Sequence, residues 1–401
     1  MISFALTEDQ KILQETVRKF AAEEIRPRMR EFEKARAVPD ALRKKLHELG
    51  LGLLDVPEAW GGQGLGALTA MLVHEELAFG DPGAAVALWA PHAAAAAILE
   101  LGDDEQRKRL LARFGQAADR LGAVAYSEKW KVPEAGFATV AQTTGAGEAY
   151  LLTGAKSFVV NGGRADLTVV FAQVDPGAGW AGVGAFVIEQ GAEGMRAGAR
   201  HDLVGLETVH AAELVLESCR VPGRNRLRGG DDFLAAARRF FQRAALINAA
   251  RQVGLARASY EFALQYTQDR QAFGKPVAHF QSIAFTLADM HMDVESSRWM
   301  LWKAAAEFDA ASPSAPQSVA KAALHANEAA WRVADSGVQL LGGAGFIQDF
   351  PAEKWMRDTK ALALLAPSDQ MQQLVVAGAE LGRAADFGPG VPTSDIQPIF
   401  T

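Results

Sequence analysis

The period of the apolar positions changes twice along the chain. TEDQ, at residues 7–10, reads as a capping box in which Thr7 caps and Gln10 reaches back. Leu13, Val17, Phe20 and Ile25 then recur at helical spacing. A second helix, ALRKKLHEL, follows Pro39-Asp40 and stops at Gly50, and the same period returns over 68–79, 83–101 and 104–114. Near Leu121 the pattern shortens. GAVAY, FATVAQ, AYLLTG, KSFVV, LTVVFAQV, VGAFVIE and AAELVLES lie between turn signals such as TTGAGE and DPGAGW, and they read as strands of an antiparallel sheet or barrel. From Asp231 the helical period resumes: one long helix to about Asp269, then helices over 282–309, 317–341, 351–365 and 368–385. Long helices with short joints predict a four-helix bundle. The expected α+β multidomain organisation is an N-terminal all-helical domain (1–121), a middle antiparallel β-domain (122–228), a C-terminal four-helix bundle (229–388) and a loose tail rich in Pro and Gly (389–401).

Composition narrows the function. The chain has 401 residues, 49% of them hydrophobic and 22% charged, with a formal net charge of −7. A net acidic chain argues against nucleic acid as the main partner. The local basic run RVPGRNRLR reads as loop and solvent charge. The single cysteine, Cys219, excludes an intrachain disulfide and a multi-cysteine metal site, and points to a reducing, cytoplasmic compartment. No basic-then-apolar signal pattern opens the sequence. The alanine-rich run AAVALWAPHAAAAAILELG reads as a buried helix and not a membrane span. No metal-ligand spacing occurs among the eight histidines, and neither a GxSxG elbow nor a GxGxxG βαβ unit is present. WGGQGLG lacks a preceding strand and a following GK[ST], so it reads as a turn.

Six longer segments carry a sharper signal. They are LTEDQKILQETVRKFAAEEIRP, LGLLDVPEAWGGQGLG, NGGRADL, AELVLESCRVP, DRQAFGKPVAHFQSI and VQLLGGAGFIQDFPAEKWMRD, in that order. Together they resemble the acyl-CoA dehydrogenase family from end to end. The resemblance implies that family's fold, FAD, an acyl-CoA substrate, an electron acceptor and a dimer or dimer of dimers. The family's chemistry is α,β-dehydrogenation: a glutamate takes the α-proton while flavin N5 takes the β-hydride. Such a base needs a carboxylate in a pocket dry enough to raise its pKa.

Here the resemblance breaks. The glutamate that usually follows MRD after seven residues, opening EGTxQ, is Ala366 in Ala366-Pro367-Ser368-Asp369-Gln370. The alternative base position, counted back from Arg270, is Ala244, and its usual arginine neighbour is Ala245. Phe241 matches the family, but the aspartate that helps hold CoA is Gln242. TEPGAGSD becomes the stretch from Ser127 to Glu134, and WIT becomes Phe158-Val159-Val160, without the hydroxyl that reaches flavin N5. The residues that members contribute to a neighbouring subunit's FAD are intact: Arg270, Phe273, Gln281, Gln339, Leu340, Leu341, Gly342 and Gly343. Ser127, Ser368 and Gln370 are the further cofactor-binding positions the resemblance implies.

The expectation is therefore a non-catalytic subunit of a heteromeric (α2β2) acyl-CoA dehydrogenase, with the glutamate supplied by a homologous partner. Within the family such assemblies are associated with bulky acyl-CoAs, steroid side chains included. Two alternatives stand beside it. One is a stand-alone flavoenzyme of oxygenase, desulfinase or lyase type, for which His92, Glu128, His210 and Asp369 are candidate polar groups. The other is a non-enzymatic scaffold without flavin.

Overall fold

A computed structural model describes residues 5–115, 120–128, 136–145, 147–230, 232–365 and 367–382. The helical N-terminal part contains α1 (Glu8–Phe20), α2 (Met29–Ala35), α3 (Asp40–Glu48), α4 (Ala67–Gly80), α5 (Pro82–Leu101) and α6 (Asp104–Gly115). The capping box at Thr7 forms as read, with Gln10 N donating to Thr7 Oγ1 at 3.2 Å and Thr7 N to Gln10 Oε1 at 3.0 Å. Asp81 caps α5 through the Ala84 amide, which accounts for the start of that helix at Pro82.

The middle part has strands β1 (Gly122–Ala125), β2 (Val140–Thr144), β3 (Ala149–Val160), β4 (Leu167–Gln173), β5 (Val183–Glu189), β6 (Met195–Arg200), β7 (Ala211–Pro222) and β8 (Arg226–Leu227). They form one sheet in the order β6-β7-β3-β2-β4-β5-β8, with β1 also on β4. Most ladders are antiparallel as expected, but β1 and β2 both pair parallel to β4, so the sheet is mixed. AYLLTG and KSFVV are one bent strand and not two. Its register against β7 shifts beside Gly154, whose φ of 151° and close approach to Thr139 leave no room for a side chain. Strand β6 escaped the sequence pattern because MRAGAR has no alternating apolar face and lies largely exposed.

The C-terminal part contains α7 (Phe233–Asp269), a small hairpin of β9 (Gln271–Ala272) and β10 (Lys275–Pro276), α8 (Gln281–Asp309), α9 (Ala315–Leu341), α10 (Ala352–Leu362) and α11 (Asp369–Glu380). Ser368 caps α11 through the Met371 amide. The tail expected over 389–401 lies outside the described residues. No single described helix is long and apolar enough to cross a membrane. Cys219 is buried and unbonded in the sheet core.

Small residues set the helix spacing. A Cβ on Gly254 of α7 would lie 2.2 Å from the Glu75 carbonyl oxygen of α4, and one on Gly337 of α9 would lie 2.3 Å from Ser259 Oγ of α7. These contacts hold α7 close between α4 and α9. Gly254→Ala is expected to destabilise the protein by about 1–3 kcal/mol through overpacking, read as a lower denaturant midpoint with an unchanged m-value.

Candidate active site

A cavity of about 110 Å³ opens where the helices meet the sheet. Val86, Trp89, Ala93 and Ala96 reach it from α5, and Ala123, Val124, Tyr126 and Ser127 from β1 and the turn after it. Ser157, Phe158 and Val160 come from β3, and Phe240, Ala244, Ile247, Asn248 and Arg251 from α7. Leu364 and Leu365 close it beyond α10. Residues far apart in sequence are thus brought together as the family resemblance implies: Ser127, the Phe158–Val160 segment, the alternative base position Ala244 and the leucines beside Ala366. Ala366 itself, and the stretch 129–135, lie outside the described residues.

No carboxylate lines this cavity among the described residues. Its walls are mostly apolar, with hydroxyls from Tyr126, Ser127 and Ser157 and the polar side chains of Asn248 and Arg251. Burial pushes the Tyr126 phenol up, so it stays protonated, and its hydroxyl donates to the Leu365 carbonyl at 3.3 Å. Val160 presents no hydroxyl there.

None of the four polar candidates for a stand-alone site lines the cavity. Glu128 is locked into the sheet. It pairs with the buried Lys156 Nζ at 2.8 Å and accepts the amides of Ala138 and Thr139 at 2.5 and 2.8 Å. Burial pushes its pKa upward, but Lys156 and these donors outweigh it and hold the carboxyl below the usual range. His210 Nε2 sits 3.2 Å from the Gly162 carbonyl. Asp369 accepts Asn327 Nδ2 at 2.8 Å in the first turn of α11, whose cap is Ser368. His92 packs on Trp89 with ring centroids 4.7 Å apart, and burial lowers its pKa to about 4.

The second group of sequence-singled residues lies elsewhere, on a common end of the bundle. Arg270, Phe273 and Gln281 are exposed at the β9–β10 hairpin and the start of α8, and Gln339, Gly342 and Gly343 are exposed at the end of α9. Ala278, Ile283, Leu340, Leu341 and Ala344 share one apolar cluster, which holds these segments side by side. Phe273 is 95% exposed, at φ 51°. Gly342 has φ 59° and ψ −135°, a conformation open to glycine, and nothing lies within 4 Å of a Cβ built at Gly342 or Gly343. A ligand can therefore reach that backbone directly. Gln370 is exposed at the start of α11, away from this group in sequence, and Ser368 is occupied as a helix cap.

Sequence models of the acyl-CoA dehydrogenase N-terminal, middle and C-terminal domains match residues 7–117, 123–219 and 234–381. The chain is 34% identical over 379 residues to cyclohex-1-ene-1-carbonyl-CoA dehydrogenase of Geobacter metallireducens, covering 94% of this chain and 99% of that one. The chain belongs to the acyl-CoA dehydrogenase family. The three-dimensional structure of butyryl-CoA dehydrogenase from Megasphaera elsdenii superposes with a TM-score of 0.86 at 32% identity, covering 95% of this chain and all of that one. A glutaryl-CoA dehydrogenase from Mycobacterium smegmatis, solved in complex with FADH2, gives a TM-score of 0.85 at 25% identity over 94% of this chain and 96% of that one. Members of this acyl-CoA dehydrogenase family are FAD flavoproteins.

Sequence reasoning missed Arg251 and Asn248. Both are buried in the cavity wall without a hydrogen-bonding partner for Arg251 Nε or Asn248 Oδ1. Their signal was an uncompensated polar pair, three residues apart, in an otherwise alanine-rich helix stretch.

Two outcomes are expected here. Glu128→Ala leaves Lys156 buried without its counter-charge and should cost about 3–5 kcal/mol in denaturant unfolding. His92 is neutral when folded and takes a proton near its ordinary value of 6.5 only when unfolded. Stability should therefore fall as pH drops from 6.5 toward 4, by up to about 1.4 kcal/mol per pH unit from this one group. His92→Gln should flatten that slope in unfolding curves measured between pH 7 and 4.5.

Proposed function

We propose that this chain is the non-catalytic subunit of a heteromeric acyl-CoA dehydrogenase, in which a homologous partner supplies the glutamate. One contrast carries the reading. The cavity that would serve this chain's own reaction has alanine at Ala244 and no lining carboxylate among the described residues, whereas the segments suited to a neighbour's FAD are intact and exposed. In this reading Arg270 pairs with the FAD pyrophosphate, because a guanidinium fork suits phosphate oxygens. Gln339 and the open backbone of Gly342 and Gly343 hold the adenosine end, and Phe273 packs against the bound group. FAD held in the partner's site would supply the hydride acceptor for the dehydrogenation. This chain's part is to hold it.

The surface supports assembly. Phe285, Met292 and Trp299 are exposed at seven-residue spacing along α8, so they form one apolar stripe on that helix. Phe273, Phe346 and Ile347 are exposed at the ends of the flanking elements. Exposed apolar residues grouped in this way mark an interface. A cavity of about 110 Å³ is on the scale that accepts a benzene-sized ligand. A bulky or steroid-type acyl group would accordingly occupy the partner's site. The buried, unbonded Cys219 is consistent with a reducing, cytoplasmic setting.

Co-expression with a second family member encoded nearby is expected to give a stable complex carrying one FAD for every pair of chains. Arg270→Ala should strip flavin from that complex without unfolding it. A homo-oligomer of this chain alone, with one FAD per chain and bleaching of the flavin by acyl-CoA, would refute the reading.

A further inference from the structure

The buried cations of this protein are paired almost throughout. Arg243 pairs with Asp55 and Glu100, Arg257 with Glu75 and Glu76, and Lys354 with Asp81 and Asp358. Arg251 is the exception that faces a cavity. It is 8% exposed, and among the described residues it makes no ion pair and no hydrogen bond. Asn248, 3% exposed and one helical turn earlier, also lines the cavity with its Oδ1 unpartnered. A charge buried without a partner is costly, and so is a buried amide without one. Two such groups at i and i+3 on one helix face, beside an apolar cavity, are a receptor for something that brings its own charge.

We infer that Arg251 and Asn248 form a carboxylate-binding site at the inner end of this cavity, taking a small ligand with an apolar body. The guanidinium fork receives both carboxylate oxygens, and Asn248, turned about its amide axis, offers Nδ2 as a third donor. The apolar walls, Val86, Trp89 and Ile247 among them, cover the rest of the ligand. With about 110 Å³ to fill, the body is of roughly benzene size. Burial lowers the Arg251 pKa to about 9, so the side chain is still cationic at neutral pH. Its charge is felt nearby: after burial itself, Arg251 is the next cause that keeps the enclosed His74 neutral. Ala244, Asn248 and Arg251 lie on one stripe of α7. The arginine is about 10 Å along the helix from the alternative base position, given a rise of 1.5 Å per residue. The carboxylate could therefore belong to a free acid or to the far end of a dicarboxylic acyl thioester. The inference does not depend on the heteromeric reading, since it concerns only this chain's cavity.

Calorimetric titration of the full chain, alone and in its complex, separates the possibilities. Benzoate is expected to bind at least ~tenfold more tightly than benzamide, the low end for a hydrogen bond to a charged group. Octanedioyl-CoA compared with octanoyl-CoA tests the thioester source: a preference for the diacid form assigns the site to the acyl terminus, and a preference confined to benzoate assigns it to a free acid. Arg251→Met should abolish the carboxylate preference while leaving the thermal midpoint equal or higher, because an unpaired buried charge is removed. Arg251→Lys, which keeps charge without the fork, should retain part of the preference and serves if the methionine variant fails to fold. Equal affinity for charged and neutral ligands in both series, or an undiminished preference in Arg251→Met, overturns the inference. Neither result bears on the FAD ratio of the complex, so the two readings fail separately.

Discussion

Glu75 and Glu76, adjacent on α4 and fully buried, hold the helical body in register. Arg257 of α7 meets both, at 2.8 Å from Glu75 and 2.5 Å from Glu76. Arg298 of α8 meets Glu75 at 2.9 Å, and Arg18 of α1 meets Glu76 at 2.9 Å. Three helices from both ends of the chain are tied to two carboxylates of a fourth. Buried ion pairs of this kind contribute little net stability against an apolar replacement, but breaking one leaves a charge stranded, so they penalise every alternative register. The tight crossing at Gly254 lies beside the Glu75 carbonyl, so backbone packing and charge pairing enforce the same approach of α4 and α7.

The same logic recurs around the periphery. Lys354 joins α10 to Asp81 at the start of α5, and Arg243 joins α7 to Asp55 and Glu100. Arg30 and Glu353, and Arg357 and Glu33, link the first helices to α10. The N-terminal and C-terminal helices therefore behave as one framework, against whose face the sheet packs through α5 and the start of α7. The cavity is the gap left at this three-way junction. Its position follows from the framework, while its chemistry follows from a handful of side chains projecting into it.

Those side chains make a largely apolar cavity with one buried polar pair, Asn248 and Arg251. Alanine stands at position 244 of the cavity wall, and Arg251 stands unpaired farther along the same helix face. The segments around Arg270 and Gln339, by contrast, are exposed at the end of the bundle. The unpaired cation adds that the cavity need not be inert.

Much was legible in the sequence because it depends on local rules. Thr7 and Gln10 marked a helix start, the 3.6-residue period marked the long helices, and the segments around Arg270 and Gln339 marked the family and the retained surface. Other features needed the fold. Strand β6 has no apolar alternation, because its faces are solvent-exposed and its pairing with β7 is made by backbone groups. The parallel pairings on β4 depend on which strands the chain connections bring together. Glu128 looked like a possible acid until Lys156, twenty-eight residues on, was seen to close it off. Sequence reasoning missed Arg251, and only the packed structure shows that it lacks a partner among the described residues. Sequence determined which elements form and which family the chain belongs to, since periodicity, capping and identity are properties of neighbours along the chain. Only the tertiary structure decided which charges are satisfied and which face a cavity, because burial and pairing are set by residues that are distant until the chain is packed.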